Sequence, residues 1–197
     1  MSAMLWDLFC RVIDNHGDVG VCWRLASTLA ARGERVRLWI DDARALAWMA
    51  PEGDAGVEVR AWSQDAPDVE GIIPGEVVIE AFGCELPPPF IGAMARRQPA
   101  PAWVNLEYLS AEPYAAASHR LRSPQFSGPG KGLDKWFFYP GFTPDTGGLL
   151  RQPNDTASTF DDGRIDWLAR LGCAPHHGER VVTLFCYDNP TLPQLLD

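Results

Sequence analysis

Two carboxylates, Asp14 and Asp18, stand four residues apart in the run from Phe9 to Arg24, FCRVIDNHGDVGVCWR. Such a pair suits a planar cation, because a guanidinium offers five donors in a fixed fork. It also suits a divalent metal ion with oxygen ligands. The metal reading is the weaker one, since the turn carries no third carboxylate and no D-x-D pattern. Asp18 alone has an equal claim to be a helix cap, because the helix dipole favours a carboxylate at its N-terminus. Asn15 and Gly17 would shape the turn, and Asn there tolerates left-handed dihedrals. His16 is an acid–base candidate, although an isolated turn histidine is more often a bystander.

Other residues compete less well. Glu80, Glu85, Glu107 and Glu112 cluster at or after apolar runs, and some read as solvated loop charges. Glu107, just past Trp103 to Leu106, has the best claim to face a cleft. Cys173, His176 and His177 match no standard metal-site spacing and read as a surface turn. Gly128-Pro129-Gly130-Lys131-Gly132 lacks the Ser or Thr after Lys, and no strand precedes it, so it is no phosphate loop. The first turn has only Gly17 and Gly20, with an Asp between them. It is therefore not the dinucleotide fingerprint, and a nucleotide-sugar epimerase is disfavoured.

The elements that must position the acidic pair are legible. Leu5 to Ile13 is an apolar run read as a strand. Cys22, Leu25, Ala26, Leu29 and Ala30 fall on one helical face. Gly33 sits where a helix C-terminus favours a left-handed residue. Strand, turn and helix together open an α/β sheet, and such sheets bind ligands beyond the carboxyl ends of their strands. Further strands are expected at 36–40, 57–62 (edge-like), 77–80, 102–106 and 136–139. Helices are expected at 43–49 and 90–97, and an excursion loop at 123–133. Val77-Val78-Ile79 is compact and apolar, as in a strand covered on both faces. Residues 1–150 thus read as one doubly wound α/β domain. Residues 149–158 are a linker candidate, 161–171 a helix and 180–186 a strand. The last residues are too few to fold alone and read as the start of a second α/β domain, so the sequence reads as a fragment of a longer architecture.

The chain has 197 residues, is 46% hydrophobic and 22% charged, and carries a net charge of -9. That composition is globular. The acidity argues against a nucleic-acid partner, which needs clustered Lys and Arg. No apolar stretch approaches the roughly 20 residues of a membrane span. The N-terminus has no signal-peptide pattern, and a soluble cytoplasmic protein is expected. Five scattered cysteines without C-x-x-C read as reduced and mostly buried. The tryptophans, Trp6, Trp39 and Trp103 among them, read as packing residues.

Several segments, taken in order, resemble one family. FCRVIDNHGDVGVCWRLA, VRLWIDD, VVIEAFGCELP, WVNLEYLSAE, FFYPGFTPDTGGLLR and LFCYDNP are similar to EarP, the protein-arginine rhamnosyltransferases of elongation factor P. The resemblance runs from near the N-terminus to the end of the chain and covers about the first half of the family's architecture. It implies a GT-B glycosyltransferase with two Rossmann-like domains. Residues 1–150 would be the acceptor side, and 151–197 a linker and the beginning of the nucleotide-sugar-binding domain. It implies transfer of L-rhamnose from dTDP-β-L-rhamnose to an arginine of elongation factor P, with inversion and without metal or other cofactor. Asp18 matches the family's general base and Asp14 its partner carboxylate. Asn15, His16 and Gly17 fall in the turn facing the sugar donor, with His16 where an aromatic residue is expected. Tyr187 matches the aromatic residue beside the nucleotide. Asp14 and Glu107 are the expected acceptor contacts. The alternative expectation is a non-catalytic segment that only docks elongation factor P.

Overall fold

The computed structural model describes residues 3–14, 16–63, 69, 71–150, 164–182, 184 and 189–196. It forms two units, Met1–Pro153 and Asn154–Asp197. In the first unit the strands are β1 (Leu5–Cys10), β2 (Arg35–Ile40), β3 (Val57–Ala61), β4 (Val77–Ala81), β5 (Ala102–Leu106), β6 (Arg122–Pro124) and β7 (Asp134–Phe138). Its helices are α1 (Gly17–Ala31), α2 (Leu46–Met49), α3 (Pro88–Arg96) and α4 (Pro113–Ser118). The seven strands form one sheet in the order β3-β2-β1-β4-β5-β7-β6. All neighbouring pairs are parallel except β6 with β7. This is the Rossmann-type doubly wound arrangement, with the order reversing between β1 and β4.

Side chains along a strand alternate between faces, and both faces here are apolar. Leu8, Cys10, Leu38, Ile40, Ile79 and Ala81 join Val19, Cys22, Ala26 and Leu29 of α1 in one core. Phe9, Trp39, Val78 and Trp103 join Phe90 and Met94 of α3 in the other. Full burial of each large side chain contributes about 1.5–3 kcal/mol, so covering both faces is what makes a parallel sheet stable. Phe9 and Trp39 are register partners and stack with centroids 5.3 Å apart. The N-terminal edge of the second core is polar but saturated. Asp7 accepts from Arg37 Nε and Nη2, Trp39 Nε1 and the Gly75 N–H, each at 2.7 Å. Helix α1 ends in a Schellman motif: Gly33, at φ +86°, donates to Ala30 O, and Glu34 donates to Leu29 O.

The structure corrects several expectations. β1 stops at Cys10 rather than Ile13, because the next backbone donors leave the ladder. The Val12 N–H goes to Asp41 Oδ1 and the Ile13 N–H to Asp18 Oδ2, both at 2.8 Å. Helix α2 starts only at Leu46, after Asp42 has bound the Arg44 N–H. The expected excursion loop at 123–133 opens on the end of β6, a three-residue antiparallel edge from Arg122 whose Pro124 is tolerated at such a position. Helix α4 was not expected; Pro113 is at its first position, where the missing N–H costs nothing.

The second unit contains α5 (Arg164–Arg170), within the expected helix, and α6 (Leu192–Leu196). Val181, Val182 and Leu184 are not in a strand, contrary to expectation for 180–186; Thr183, Phe185 and Cys186 lie outside the described residues. A strand is stabilised by its neighbours, and the described residues of this unit contain none. Among the described residues no helix is long and apolar enough to cross a membrane.

Candidate active site

Parallel register brings the strand ends level. Cys10 lies opposite Ile40, Ala81 opposite Leu106, and Leu106 opposite Phe138. The loops after β1, β4, β5 and β7 therefore emerge together where the strand order reverses, the usual place for a ligand in such sheets. They surround a cavity of about 620 Å³, whose walls include His16, Gly17, Phe82, Glu107, Tyr108 and Pro140. A larger depression of about 760 Å³ lies against α3, with Pro88, Arg96 and Arg97 in its walls, and among the described residues no carboxylate lines it.

The turn after β1 is tightly built. The Gly17 N–H donates to Asp14 O at 2.9 Å. A Cβ on Gly17 would come within 2.9 Å of Asp14 Oδ2, so the Asp14 carboxylate lies against the start of α1. Asp14, His16 and Gly17 are exposed. His16 is the N-cap residue but makes no side-chain cap, and its ring meets Trp48 edge-on at 5.3 Å. Asp18 is not the N-cap. It sits in the first turn of α1 and reaches backward, where Oδ2 accepts the N–H groups of Ile13 (2.8 Å) and Asp14 (2.9 Å). Its negative charge there suits the helix dipole. One oxygen of Asp18 thus holds the turn.

The other oxygen meets an aromatic side chain. Tyr108, on the loop after β5, donates its hydroxyl to Asp18 Oδ1 at 2.9 Å. Asp18 has 0% exposure, whereas Tyr108 is 50% exposed. Burial, then the hydrogen bond to Asp18, then the charges of Asp18 and Asp14 among others push the Tyr108 phenol above its ordinary value. Both carboxylates therefore act on the same phenol. The Tyr108 ring stacks on Phe82, centroids 4.0 Å apart and planes 8° from parallel. Phe82, directly after β4, has φ +56°, a left-handed conformation unusual for an aromatic residue. Such strain clusters at functional sites.

Glu107 lines the cavity beside Tyr108. Its Oε1 accepts from Asn105 Nδ2 at 2.6 Å, and its N–H donates to Phe138 O at 2.9 Å. Both side chain and backbone are thus fixed. Asn15 and Tyr187 lie outside the described residues. Glu80 is not a solvated charge: it is buried and accepts from Glu85 N–H, Trp103 Nε1 and Lys135 Nζ. Cys10, Cys22 and Cys84 are free and buried. The Cys22 thiol is pushed up, first by its hydrogen bond with Cys10 and then by burial; burial does the same to Cys84. Such thiols stay protonated and are poor nucleophiles. Cys173 is exposed, and the His176 N–H binds Glu179. Among the described residues no three of His, Cys, Asp and Glu converge as a metal-ligand set.

Sequence reasoning passed over Phe82 and Tyr108 as site residues. A signal existed: each directly or nearly follows a strand whose carboxyl end lies on the same side as Asp14 and Asp18.

The arrangement gathers anionic and aromatic groups at one sheet end, as a cationic side chain would require. A family model described as "Elongation-Factor P (EF-P) rhamnosyltransferase EarP" matches residues 6–197. The chain belongs to the EarP family. The protein-arginine rhamnosyltransferase of Pseudomonas aeruginosa is 44% identical over 98% of this chain and 53% of its own length. That of Shewanella oneidensis is 35% identical over all of this chain and 53% of its own length. That of Neisseria meningitidis serogroup B is 40% identical over 74% of this chain and 38% of its own length. The chain thus spans about half the length of the curated EarP relatives it matches most fully. A crystal structure of the calicheamicin glycosyltransferase CalG4 matches 87% of this chain and 43% of its own, at 18% identity and a TM-score of 0.36.

Proposed function

We propose that this chain forms the acceptor side of a GT-B glycosyltransferase that moves L-rhamnose from dTDP-β-L-rhamnose to an arginine of elongation factor P. Residues 1–150 receive the arginine, and 151–197 lead into the domain that binds the nucleotide sugar, with Tyr187 beside the nucleotide. Membership of the EarP family supports the reaction class. The observation that carries the site is the bond from Tyr108 to Asp18 where the strand order reverses, beside a cavity lined by Tyr108, Glu107 and Gly17, against which Asp14 lies.

The chemistry follows from the acceptor. A guanidinium stays protonated in water, with a pKa above about 12, and is a poor nucleophile. A carboxylate on each side of the fork fixes its plane, and Asp18 accepts a proton as the new C–N bond forms. Asp14 and Glu107 hold the remaining N–H groups. The C–O bond to the diphosphate breaks on the opposite face of the sugar, so the anomeric centre inverts. In this reading no metal ion or other cofactor is used, and Asn15, His16 and Gly17 face the sugar donor. The reaction belongs in the cytoplasm, where elongation factor P meets the ribosome.

The test is intact-mass analysis of elongation factor P after incubation with dTDP-β-L-rhamnose and this protein at its relatives' full length. A gain of one deoxyhexose, abolished by Asp18→Asn and weakened in acceptor affinity by Asp14→Ala, is the expected result. A factor that keeps its original mass, or full turnover by the Asp18→Asn variant, removes the reading.

A further inference from the structure

Asp18 is fully enclosed, yet it is the residue to which the proposed chemistry assigns the proton. Its two oxygens are held differently. Oδ2 binds the backbone N–H groups of Ile13 and Asp14, an arrangement that cannot open without unmaking the turn. Oδ1 binds the hydroxyl of Tyr108, a half-exposed side chain on a surface loop that itself lines the cavity. The ring is positioned by its stack on Phe82 rather than by burial. The asymmetry is that of a fixed anchor on one oxygen and a movable partner on the other.

We infer that Tyr108 is a displaceable positioning residue, its hydroxyl occupying Asp18 Oδ1 until the guanidinium of the acceptor takes that oxygen. The inference rests on the reading of Asp18 as the group that meets arginine. The exchange is selective for a cation. A phenol gives the carboxylate one O–H bond and no charge, whereas a guanidinium brings a full positive charge and several N–H donors in a fork, so ion pairing adds to the hydrogen bonds. Water or an alcohol would replace one O–H bond by another and gain nothing. Tyr108 thereby keeps Asp18 from activating a hydroxyl acceptor and yields to an arginine. Phe82 supplies the platform to which the ring returns. Its backbone is left-handed, at φ +56°, a conformation that clusters at functional sites.

The experiment is a calorimetric titration of methylguanidinium chloride into the protein, its Tyr108→Phe variant and its Asp18→Asn variant, with urea as the neutral control. Tyr108→Phe keeps the ring and the stack but removes the competing hydroxyl. It is expected to bind methylguanidinium roughly tenfold to a hundredfold tighter than the parent, the worth of one hydrogen bond to a charged group. Urea should bind none of the three proteins, and Asp18→Asn should abolish methylguanidinium binding. A second variant, Phe82→Gly, suits the left-handed backbone and removes the platform; it too should tighten binding. If Tyr108→Phe binds equally or more weakly while Asp18→Asn still abolishes binding, the inference about Tyr108 falls and the arginine reading stands. If the parent and Tyr108→Phe bind no methylguanidinium, both fall together. A purely structural Tyr108 would weaken binding, so tightening is the discriminating sign.

Discussion

Asn105 Nδ2 donates to Glu107 Oε1 at 2.6 Å, joining a side chain buried at the end of β5 to one that lines the cavity. Glu107 directly follows β5 with its N–H on Phe138 O, so its side chain lies two residues beyond the amide that aims it. Replacing Asn105 by Leu, of similar volume, removes the aim and leaves Glu107 in place. The acceptor KM should rise roughly threefold to tenfold with kcat nearly unchanged, because one positioning hydrogen bond is lost. Steady-state kinetics over a range of elongation factor P concentrations checks this.

Gly17 gives a test of Asp14 that leaves its carboxylate present. A Cβ there would meet Asp14 Oδ2 at 2.9 Å, the far end of a flexible side chain that can swing away. Alanine is also a better helix former than glycine by about 1 kcal/mol. Gly17→Ala should therefore leave the thermal midpoint equal or higher while weakening acceptor binding. Circular dichroism melting and acceptor titration on the same preparation separate the two effects.

The buried Asp7–Arg37 pair makes a prediction away from the site. Asp7→Ala would strand the Arg37 guanidinium inside the protein. The expected cost is about 3–5 kcal/mol, read from the urea midpoint. Adding Arg37→Met should recover only part of it. Asp7 also accepts from Trp39 Nε1 and the Gly75 N–H, which stay unpaired in the double variant at a cost of about 1–3 kcal/mol each. Full recovery would show that those two neutral donors contribute nothing.

The Tyr108 phenol is held protonated by burial and by Asp18, so its folded-state value lies above the ordinary value of 10.0. A raised value means that its contribution to stability is complete below about pH 10 and is lost as pH rises through the folded-state value. In an alkaline spectrophotometric titration two tyrosines, Tyr108 and Tyr139, should ionise late. Asp18→Asn should bring Tyr108 back toward its ordinary range, since Asp18 is one cause of its rise after burial. Tyr139, raised mainly by burial and then by Glu107, should remain late in that variant. A titration unchanged by Asp18→Asn would show that the carboxylate does not act on the phenol.

The α/β class, the strand–turn–helix from Leu5 to Ala31 and the acidic pair in its turn were all legible in the residues. Each depends on spacing within a short stretch: continuous apolar runs for strands covered on both faces, a three-to-four-residue apolar period for α1, and Gly33 at its end. The same local reading failed at 11–13 and at 122–124. There, pairing was decided by Asp18 and Asp41 capturing backbone donors, and by a neighbouring strand at a sheet edge. Of the strand expected at 180–186, the described residues Arg180, Val181, Val182 and Leu184 are not in a strand, and their apolar run has no described neighbour to pair with.

Only tertiary structure decided how the acidic pair is presented. The contact between Tyr108 and Asp18 joins residues 90 positions apart. It needs β1, β4 and β5 in that spatial order, in parallel register, with Phe82 in a left-handed conformation under the ring. Periodicity in a sequence reports which face of an element is apolar. It carries no information on which distant loop lies across a turn, because that follows from strand order and from the packing of both sheet faces. Local spacing therefore places two carboxylates at the start of α1. The fold determined that one is exposed against Gly17 and the other is enclosed beneath a phenol.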